Sequence, residues 1–160
     1  MKILLVAMPN VIIGFDKSAR FPNLGLNSLA GNVSGHEVKV VDLILSRGDI
    51  RNFVFEIISD YEPEVVGFTA MSFQYRTALE LAKFIKGINS KIFTVLGGYH
   101  ASLEYKIISK KDDSKYFDVL VRGEGEATFS ELIDSISSGG DFSRIRGLSF
   151  KRNGEYVHNE

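Results

Sequence analysis

The chain has 160 residues, of which 44% are hydrophobic and 24% charged, and its formal net charge is -1 at pH 7. These values fit one globular domain with a sizeable core, and the scattered cations argue against nucleic acid as the main partner. The absence of cysteine excludes disulfides, thiolate metal sites and an iron–sulfur cluster within this sequence. We also expect no membrane partner and a cytoplasmic location, because no stretch is apolar enough to span a bilayer.

The first part of the chain alternates predicted strands with predicted helices. Residues 3–7 form a continuous apolar run, which is typical of a strand covered on both faces. A polar turn leads into a helix that opens at 21–26 and that Gly35 is expected to cap. The alternating pattern over 36–43 predicts an edge strand, and the stripe over 54–61 predicts a second helix.

The pattern continues with a third and a fourth strand. The apolar run 65–71 predicts a buried strand, and Ser72 is a candidate N-cap for the long helix that follows. The fourth strand, 92–96, ends in Gly97-Gly98. Residues 103–108 predict only a short helix, followed by a charged surface loop.

The last segments predict one more strand and helix, and then a different motif. Residues 119–121 predict a short fifth strand, and 126–137 a clear amphipathic helix. The Asn153-Gly154 pair between two short apolar runs then predicts a β-hairpin over 146–158, which we expect to be an appendage to the main body.

These elements predict a three-layer α/β fold of the flavodoxin-like (Rossmann-like) type. Its sheet would have five parallel strands in the order 2-1-3-4-5, with a C-terminal β-hairpin. We assign 1–141 to this domain and 142–160 to a hairpin linker. Ligands of such sheets bind outside the carboxyl ends of the strands, where the strand order reverses.

Residues at these strand ends are the candidate ligand contacts. Two glycines in a row, at 97 and 98, would let another molecule approach the backbone closely. The remaining candidates at strand ends are Pro9, Asn10, Thr69, Met71, Ser72, Tyr99, His100, Gly123 and Glu124.

The chemistry available to these residues is limited. No GxGxxG follows the first strand and no GxxxxGK[ST] occurs, which disfavours dinucleotide and Walker-type sites. No nucleophile–base pair or metal-ligand spacing is visible, so we assign no catalytic residue and no metal ligand. Glu126 fits the first turn of a helix, whereas Glu124 and His100 stay open between a structural role and a ligand contact.

Four motifs, in this order, resemble the N-terminal cobalamin-binding domain of B12-dependent radical SAM enzymes, such as methyltransferases and anaerobic Mg-protoporphyrin ester cyclases. The hairpin is similar to the linker that leads into their catalytic barrel. The matching segments are 21–30 (FPNLGLNSLA), 35–42 (GHEVKVVD), 66–71 (VGFTAM) with 97–102 (GGYHAS), and 118–128 (DVLVRGEGEAT).

The resemblance implies that cobalamin lies over the carboxyl ends of the strands. Its dimethylbenzimidazole tail would be buried near Thr69, Gly97 and Gly98, and the 21–30 motif adds Leu24 and Gly25 to the expected contacts. The motif Asp-x-His-x-x-Gly is missing after the first strand, so we expect base-off cobalamin without a lower histidine ligand. The cluster motif Cys-x-x-x-Cys-x-x-Cys is missing too, which places S-adenosylmethionine and [4Fe–4S] in a radical SAM domain outside this sequence.

Three functions are compatible with these residues. The first is a cobalamin-binding module that is inactive alone and serves methyl transfer or cyclisation in a longer enzyme. The second is a cofactor-free docking or substrate-binding domain of the same enzyme family. The third, a small hydrolase or transferase using His100 and Glu124, lacks an orienting residue and an oxyanion donor.

Overall fold

The computed structural model describes residues 1–9, 23–46 and 48–160. The predicted contact Asn10 and the first residues of the 21–30 motif lie outside these ranges. The strands are β1 (Lys2–Ala7), β2 (Glu37–Asp42), β3 (Val65–Thr69), β4 (Phe93–Gly97), β5 (Val119–Val121), β6 (Leu148–Arg152) and β7 (Glu155–His158). The helices are α1 (Leu24–Asn32), α2 (Ile50–Tyr61), α3 (Tyr75–Ile88), α4 (Tyr99–Ile108) and α5 (Gly125–Ser138).

The first five strands confirm the predicted fold class and strand order. They pair in parallel in the order β2-β1-β3-β4-β5, so their carboxyl ends meet at one edge of the sheet. The pairing places Ala7, Thr69 and Gly97 in one row at this edge. Residues that the sequence placed at separate strand ends therefore lie side by side.

Helices cover both faces of the sheet, which gives the predicted three layers. Alternate residues of β1 show the division: Leu4 packs with α2, α3 and α4, whereas Leu5 packs with α1 and α5. Both leucines are 1% exposed. Within the described ranges, none of the helices has the length and apolar character needed to cross a membrane.

The hairpin is present but is no appendage, which corrects the expected sheet from five strands to seven. Strand β6 pairs antiparallel with β5, and β7 pairs with β6. Leu148 and Phe150 of β6 are buried in the core beneath α1 and α5, so burial of apolar surface favours continuing the sheet. Positive φ angles at Asn153 and Gly154 fit the predicted tight turn.

Three local expectations were wrong. Gly35 does not cap α1, which ends at Asn32 with Val33 as its C-cap. Ser72 does not cap a helix: it begins a 3-10 turn over Ser72–Gln74, and the Gln74 side chain accepts the Met71 N–H bond at 2.9 Å. Helix α4 starts at Tyr99, directly after β4, rather than at residue 103. Its exposed apolar residues Tyr99 and Leu103 obscure the helical pattern, because they place apolar side chains on the solvent face.

A group of polar side chains joins the amino ends of β4 and β5 to the hairpin. Asp118 accepts hydrogen bonds from Lys86 Nζ (2.6 Å) and from the backbone and hydroxyl of Thr94 (2.7 and 2.9 Å). Lys151 of β6 and Tyr156 of β7 both donate to the Phe117 carbonyl at 2.9 Å. We call Lys86, Thr94, Asp118, Lys151 and Tyr156 the Asp118 cluster.

Candidate functional site: a glycine-lined cleft at the strand ends

A narrow cleft opens at the carboxyl edge of the sheet, on the face covered by α1 and α5. Its volume is about 170 Å³. Six glycines line it, at positions 25, 67, 97, 98, 123 and 125, and Thr69, Glu124 and Glu126 are among its polar lining residues. We call it the glycine cleft. It is too small for a large cofactor, since whole-ligand pockets span ~300–1,000 Å³, but it has room for one planar group.

The two glycines at the end of β4 differ in what a side chain would meet. A Cβ at Gly98 would lie 2.7 Å from Thr69 Oγ1 and 2.9 Å from the Ala70 nitrogen, and Gly98 has φ +88°. Only glycine is tolerated there. Among the described residues other than its chain neighbours, the atoms nearest to a Cβ at Gly97 would be 3.9 Å away, an ordinary van der Waals distance. The described fold therefore accommodates a Cβ at Gly97, and this position opens onto the cleft.

The floor of the cleft consists of apolar residues that sequence reasoning did not single out. Leu5, Val95 and Phe129 line it together with Gly67 in the middle of β3. A Cβ at Gly67 would lie 2.9 Å from Leu5 Cδ2, so glycine preserves the depth of the cleft. A glycine inside a buried strand signals close approach and could have identified this position.

Two carboxylates lie at the mouth of the cleft. Glu124 is the residue before α5, and its side chain makes no capping hydrogen bond. Glu126, in the first turn of α5, accepts a hydrogen bond from Ser28 Oγ at 2.9 Å and so links α5 to α1. Glu126 has the structural role expected of a first-turn acid, whereas the Glu124 side chain lines the cleft without such a role.

The other predicted contacts lie beside the cleft rather than in it. Met71 and Tyr99 are 43% and 57% exposed, and Ser72 and His100 lie next to them. We call these four residues the strand-end surface. Hydrogen bonds from Ala70 N to the Gly97 carbonyl (3.2 Å) and from His100 N to the Ala70 carbonyl (3.1 Å) hold its two segments together.

His100 is the most constrained member of the strand-end surface. Its Nδ1 lies 3.1 Å from Ser72 Oγ, and its ring packs on Tyr75 with the centroids 4.4 Å apart. Burial lowers the pKa of His100, with Glu104 raising it and Lys111 lowering it further. The imidazole is therefore neutral at pH 7.

The remaining predicted residues are more peripheral. Leu24 is 78% exposed at the start of α1, whereas its neighbour Gly25 lines the cleft. The Pro9 carbonyl accepts a hydrogen bond from Gln74 Nε2 at 3.3 Å, which ties the end of β1 to the turn after β3. His100 and Glu124, the pair considered for hydrolysis, have different surroundings: the histidine belongs to the strand-end surface, and the glutamate lines the cleft.

The fold and the cleft together define an α/β domain of the class whose ligands bind at the carboxyl ends of the strands, where the strand order reverses. The B12-binding domain family matches residues 12–133. The chain belongs to this family, which confirms the resemblance drawn from the motifs.

Relatives and solved structures agree with this assignment. An uncharacterized methyltransferase of Pyrococcus horikoshii is 39% identical over the whole chain, which covers 34% of that protein. An anaerobic magnesium-protoporphyrin IX monomethyl ester cyclase of Synechocystis is 26% identical over 98% of the chain and 32% of its own length. The radical S-adenosylmethionine methyltransferase TsrM of Kitasatospora setae, solved with cobalamin and a [4Fe–4S] cluster, shares the fold with a TM-score of 0.78 at 23% identity. The match covers 98% of the chain and 30% of TsrM.

The chain therefore spans about a third of the length of these relatives. Its own residues fit the cofactor of the family. The glycine cleft keeps open, at Gly97, a space that any side chain would fill, and its floor is apolar, as a buried aromatic group requires.

Proposed function

We propose that this chain is the cobalamin-binding module of a longer B12-dependent radical SAM enzyme. In this proposal the dimethylbenzimidazole tail enters the glycine cleft between α1, α5 and the sheet. The corrin ring lies over the carboxyl ends of β1, β3 and β4, because the cleft is too small to admit it. Thr69, Gly97, Gly98 and Gly123 hold the tail, and the strand-end surface faces the ring.

The observation that carries the proposal is the open space at Gly97. The described fold has room for a Cβ at this position of the cleft wall, so the backbone does not require glycine there. Glycine at such a position indicates that the space is kept for a ligand. Gly98 alone does not distinguish a ligand site from a backbone requirement, since its backbone conformation needs glycine with or without a ligand. The rival proposal, a cofactor-free docking domain, gives no reason for Gly97.

Bound cobalamin supplies a cobalt centre that carries a transferable group, while this chain binds and orients the cofactor. We assign the chain no lower histidine ligand to cobalt, because residues 8–22 contain no histidine. The proposal further includes a cytoplasmic location, no nucleic-acid or membrane partner, and residues 142–160 as the link to a radical SAM domain. That domain would hold S-adenosylmethionine and the iron–sulfur cluster for methyl transfer or cyclisation.

The test is retention of cobalamin by the purified chain and its Gly97→Val variant. We expect the unchanged chain to retain hydroxocobalamin after desalting, with corrinoid absorbance near one equivalent. Gly97→Val should bind it about a hundredfold more weakly, because excluding a buried aromatic group forfeits roughly 3 kcal/mol. Its free energy of unfolding should stay within about 0.5 kcal/mol of the unchanged chain.

A matched control is Gly31→Val, on the exposed face of α1, where a Cβ meets nothing within 4 Å. This variant should bind cobalamin like the unchanged chain. A folded, unchanged chain that retains no corrinoid would contradict the proposal and favour the cofactor-free docking domain. Equal binding by Gly97→Val would place the tail elsewhere.

A further inference from the structure

Within the described part of the chain, one ring nitrogen of His100 is engaged and the other has no hydrogen-bond partner. Nδ1 pairs with Ser72 Oγ at 3.1 Å. Among the described residues Nε2 makes no hydrogen bond, and the side chain is only partly buried. A fixed polar group with one unused, solvent-facing end is the arrangement that a positioned ligand contact requires.

The protein fixes the orientation of this imidazole from three sides. The Tyr75 ring, itself 8% exposed, supports one face, and Ser72 holds the Nδ1 edge. The backbone N–H of His100 donates to the Ala70 carbonyl at 3.1 Å, which fixes the first turn of α4. Glu104 and Lys111 are the charged groups that act on the ring, with opposite effects on its pKa. Lys111 also lies 5.5 Å from the Tyr75 ring centre.

His100 lies at the carboxyl edge of the sheet but does not line the glycine cleft. Its helix, α4, belongs to the opposite helical layer from α1 and α5, which enclose the cleft. A ligand group that fills the cleft is therefore separate from the group that meets His100. Met71 and Tyr99, the sequence neighbours of Ser72 and His100, are exposed and would offer apolar surface to a flat ring.

We propose that His100, oriented by Ser72, forms a hydrogen bond through Nε2 to a peripheral carboxamide of the corrin ring of bound cobalamin. This inference rests on the proposed function and adds a contact to the ring, distinct from the tail contacts. A carboxamide both donates and accepts hydrogen bonds, so it pairs with either tautomer of the neutral imidazole. Ser72 is a positioning residue, since its hydroxyl acts through His100.

The experiment compares two amide substitutions of His100, each of which replaces a different ring nitrogen. The amide of His100→Gln extends to the position of Nε2, whereas that of His100→Asn extends only to Nδ1. In hydroxocobalamin titrations, the affinity of His100→Gln should lie within about threefold of that of the unchanged chain. His100→Asn should bind about tenfold more weakly than the unchanged chain, because it loses one hydrogen bond. Ser72→Ala should weaken binding by about threefold. Circular dichroism and urea melts verify that each variant is folded.

Assignment to the ring uses the monocarboxylic acids of cobalamin, in each of which one ring propionamide is hydrolysed. For each ligand, the affinity of the unchanged chain is divided by the affinity of His100→Asn. For the derivative that is changed at the contacted amide, this ratio should differ from the ratio for cobalamin by at least about threefold. For the other derivatives the ratio should match that for cobalamin.

Three results would overturn the inference while leaving cobalamin binding intact. One is equal binding by His100→Asn and the unchanged chain, and another is the same ratio for every derivative. The third is a nitrogen splitting in the electron paramagnetic resonance spectrum of bound Co(II) that His100→Asn abolishes, which would make His100 a cobalt ligand. Failure of the unchanged chain to bind hydroxocobalamin at all would instead overturn the proposed function together with this inference.

Discussion

The two ends of this sheet are built from opposite kinds of residue. At the carboxyl end, glycines line a cleft and apolar side chains such as Met71 and Tyr99 are exposed. At the amino ends of β4 and β5, the side chains of the Asp118 cluster join the strands instead, through a lysine–aspartate pair at 2.6 Å and several further hydrogen bonds. At the carboxyl end, glycines leave a space open, whereas at the amino ends of β4 and β5 polar side chains join the strands to one another.

This difference separates binding from stability. A cleft that admits a ligand cannot also pack against itself, and the Asp118 cluster at the far end supplies side-chain contacts that hold β4, β5 and the hairpin together. Arg122, at the carboxyl end of β5, adds hydrogen bonds to the Leu148 and Asn159 carbonyls. Changes at the Asp118 cluster should therefore alter the free energy of unfolding alone. Changes at the carboxyl end should alter mainly corrinoid affinity. Gly98, His100 and His158 should in addition affect the free energy of unfolding.

The largest effect is expected for Gly98→Ala. The new Cβ would lie 2.7 Å from Thr69 Oγ1, in a backbone conformation with φ +88°. We expect a loss of about 3 kcal/mol in the free energy of unfolding, together with loss of cobalamin binding. Urea denaturation gives the first value. The matched control is Gly87→Ala on the exposed surface of α3, where nothing lies within 4 Å and helix propensity should raise stability by up to ~1 kcal/mol.

If Gly98→Ala were as stable as the unchanged chain, the carboxyl end would be more adaptable than the structure indicates. The contrast between Gly98 and Gly97 would then disappear. Gly97→Val would no longer serve as a variant that removes the tail site without touching the fold.

A smaller loss is expected for Asp118→Ala. The change removes an oxygen that accepts three hydrogen bonds. It also leaves Lys86, whose side chain is 16% exposed, without the carboxylate of its ion pair, although its hydrogen bond to the Ile92 carbonyl at 2.7 Å remains. We expect about 2 kcal/mol of destabilisation with unchanged cobalamin affinity. The control Glu80→Ala removes an exposed ion pair with Arg51 at 3.8 Å and should leave the urea midpoint unchanged. Weakened cobalamin binding by a folded Asp118→Ala would show that the two ends are coupled.

Much of the fold could be predicted because its information is local. Continuous apolar runs marked β1 and β3 as buried strands, and Asn153-Gly154 marked the hairpin turn. The place of the hairpin in the sheet could not be predicted, since β6 pairs with a strand roughly 30 residues earlier and the turn does not specify that neighbour. The start of α4 could not be predicted either, because an apolar stripe lies on its exposed face.

The candidate site likewise has residues that could be predicted from the sequence and residues that could not. Glycines at strand ends were visible in the sequence, because a glycine there usually marks a tight turn or a close approach to the backbone. Phe129 and Leu5, which form the floor of the cleft, have the pattern of ordinary core residues, and only the three-dimensional arrangement places them there. The pairing of Ser72 with His100 joins residues 28 positions apart, so the local pattern at Ser72 indicated only a helix cap. The cofactor contacts themselves stay predictions until corrinoid binding is measured.

A further variant sharpens the account of the Asp118 cluster. Tyr156→Phe removes a hydroxyl that donates to the Phe117 and Ser114 carbonyls at 2.9 and 3.2 Å. Burial raises the pKa of Tyr156 well above its ordinary value, so the hydroxyl keeps its proton at all working pH values. Lys151 still donates to both carbonyls, and we therefore expect a loss of only about 1 kcal/mol in urea melts. A loss as large as that of Asp118→Ala would make the tyrosine, and not the ion pair, the main link to the hairpin.

The smallest expected effect is a pH dependence that arises at the carboxyl end alone. Burial lowers the pKa of His100 and of His158, which lies on β7 beside the carboxyl end of β5. Because the folded state binds these protons less readily, the unfolded chain takes them up first near pH ~6.5. The contribution of these histidines to the free energy of unfolding is complete at about pH 7.5 and is lost progressively as the pH drops towards about 5.5. The slope is below ~1.4 kcal/mol per pH unit for each histidine. Urea melts at both pH values should show this fall in the unchanged chain and a flatter one in the double variant His100→Gln, His158→Gln. An equal slope in both would assign the pH dependence to groups outside this end of the sheet.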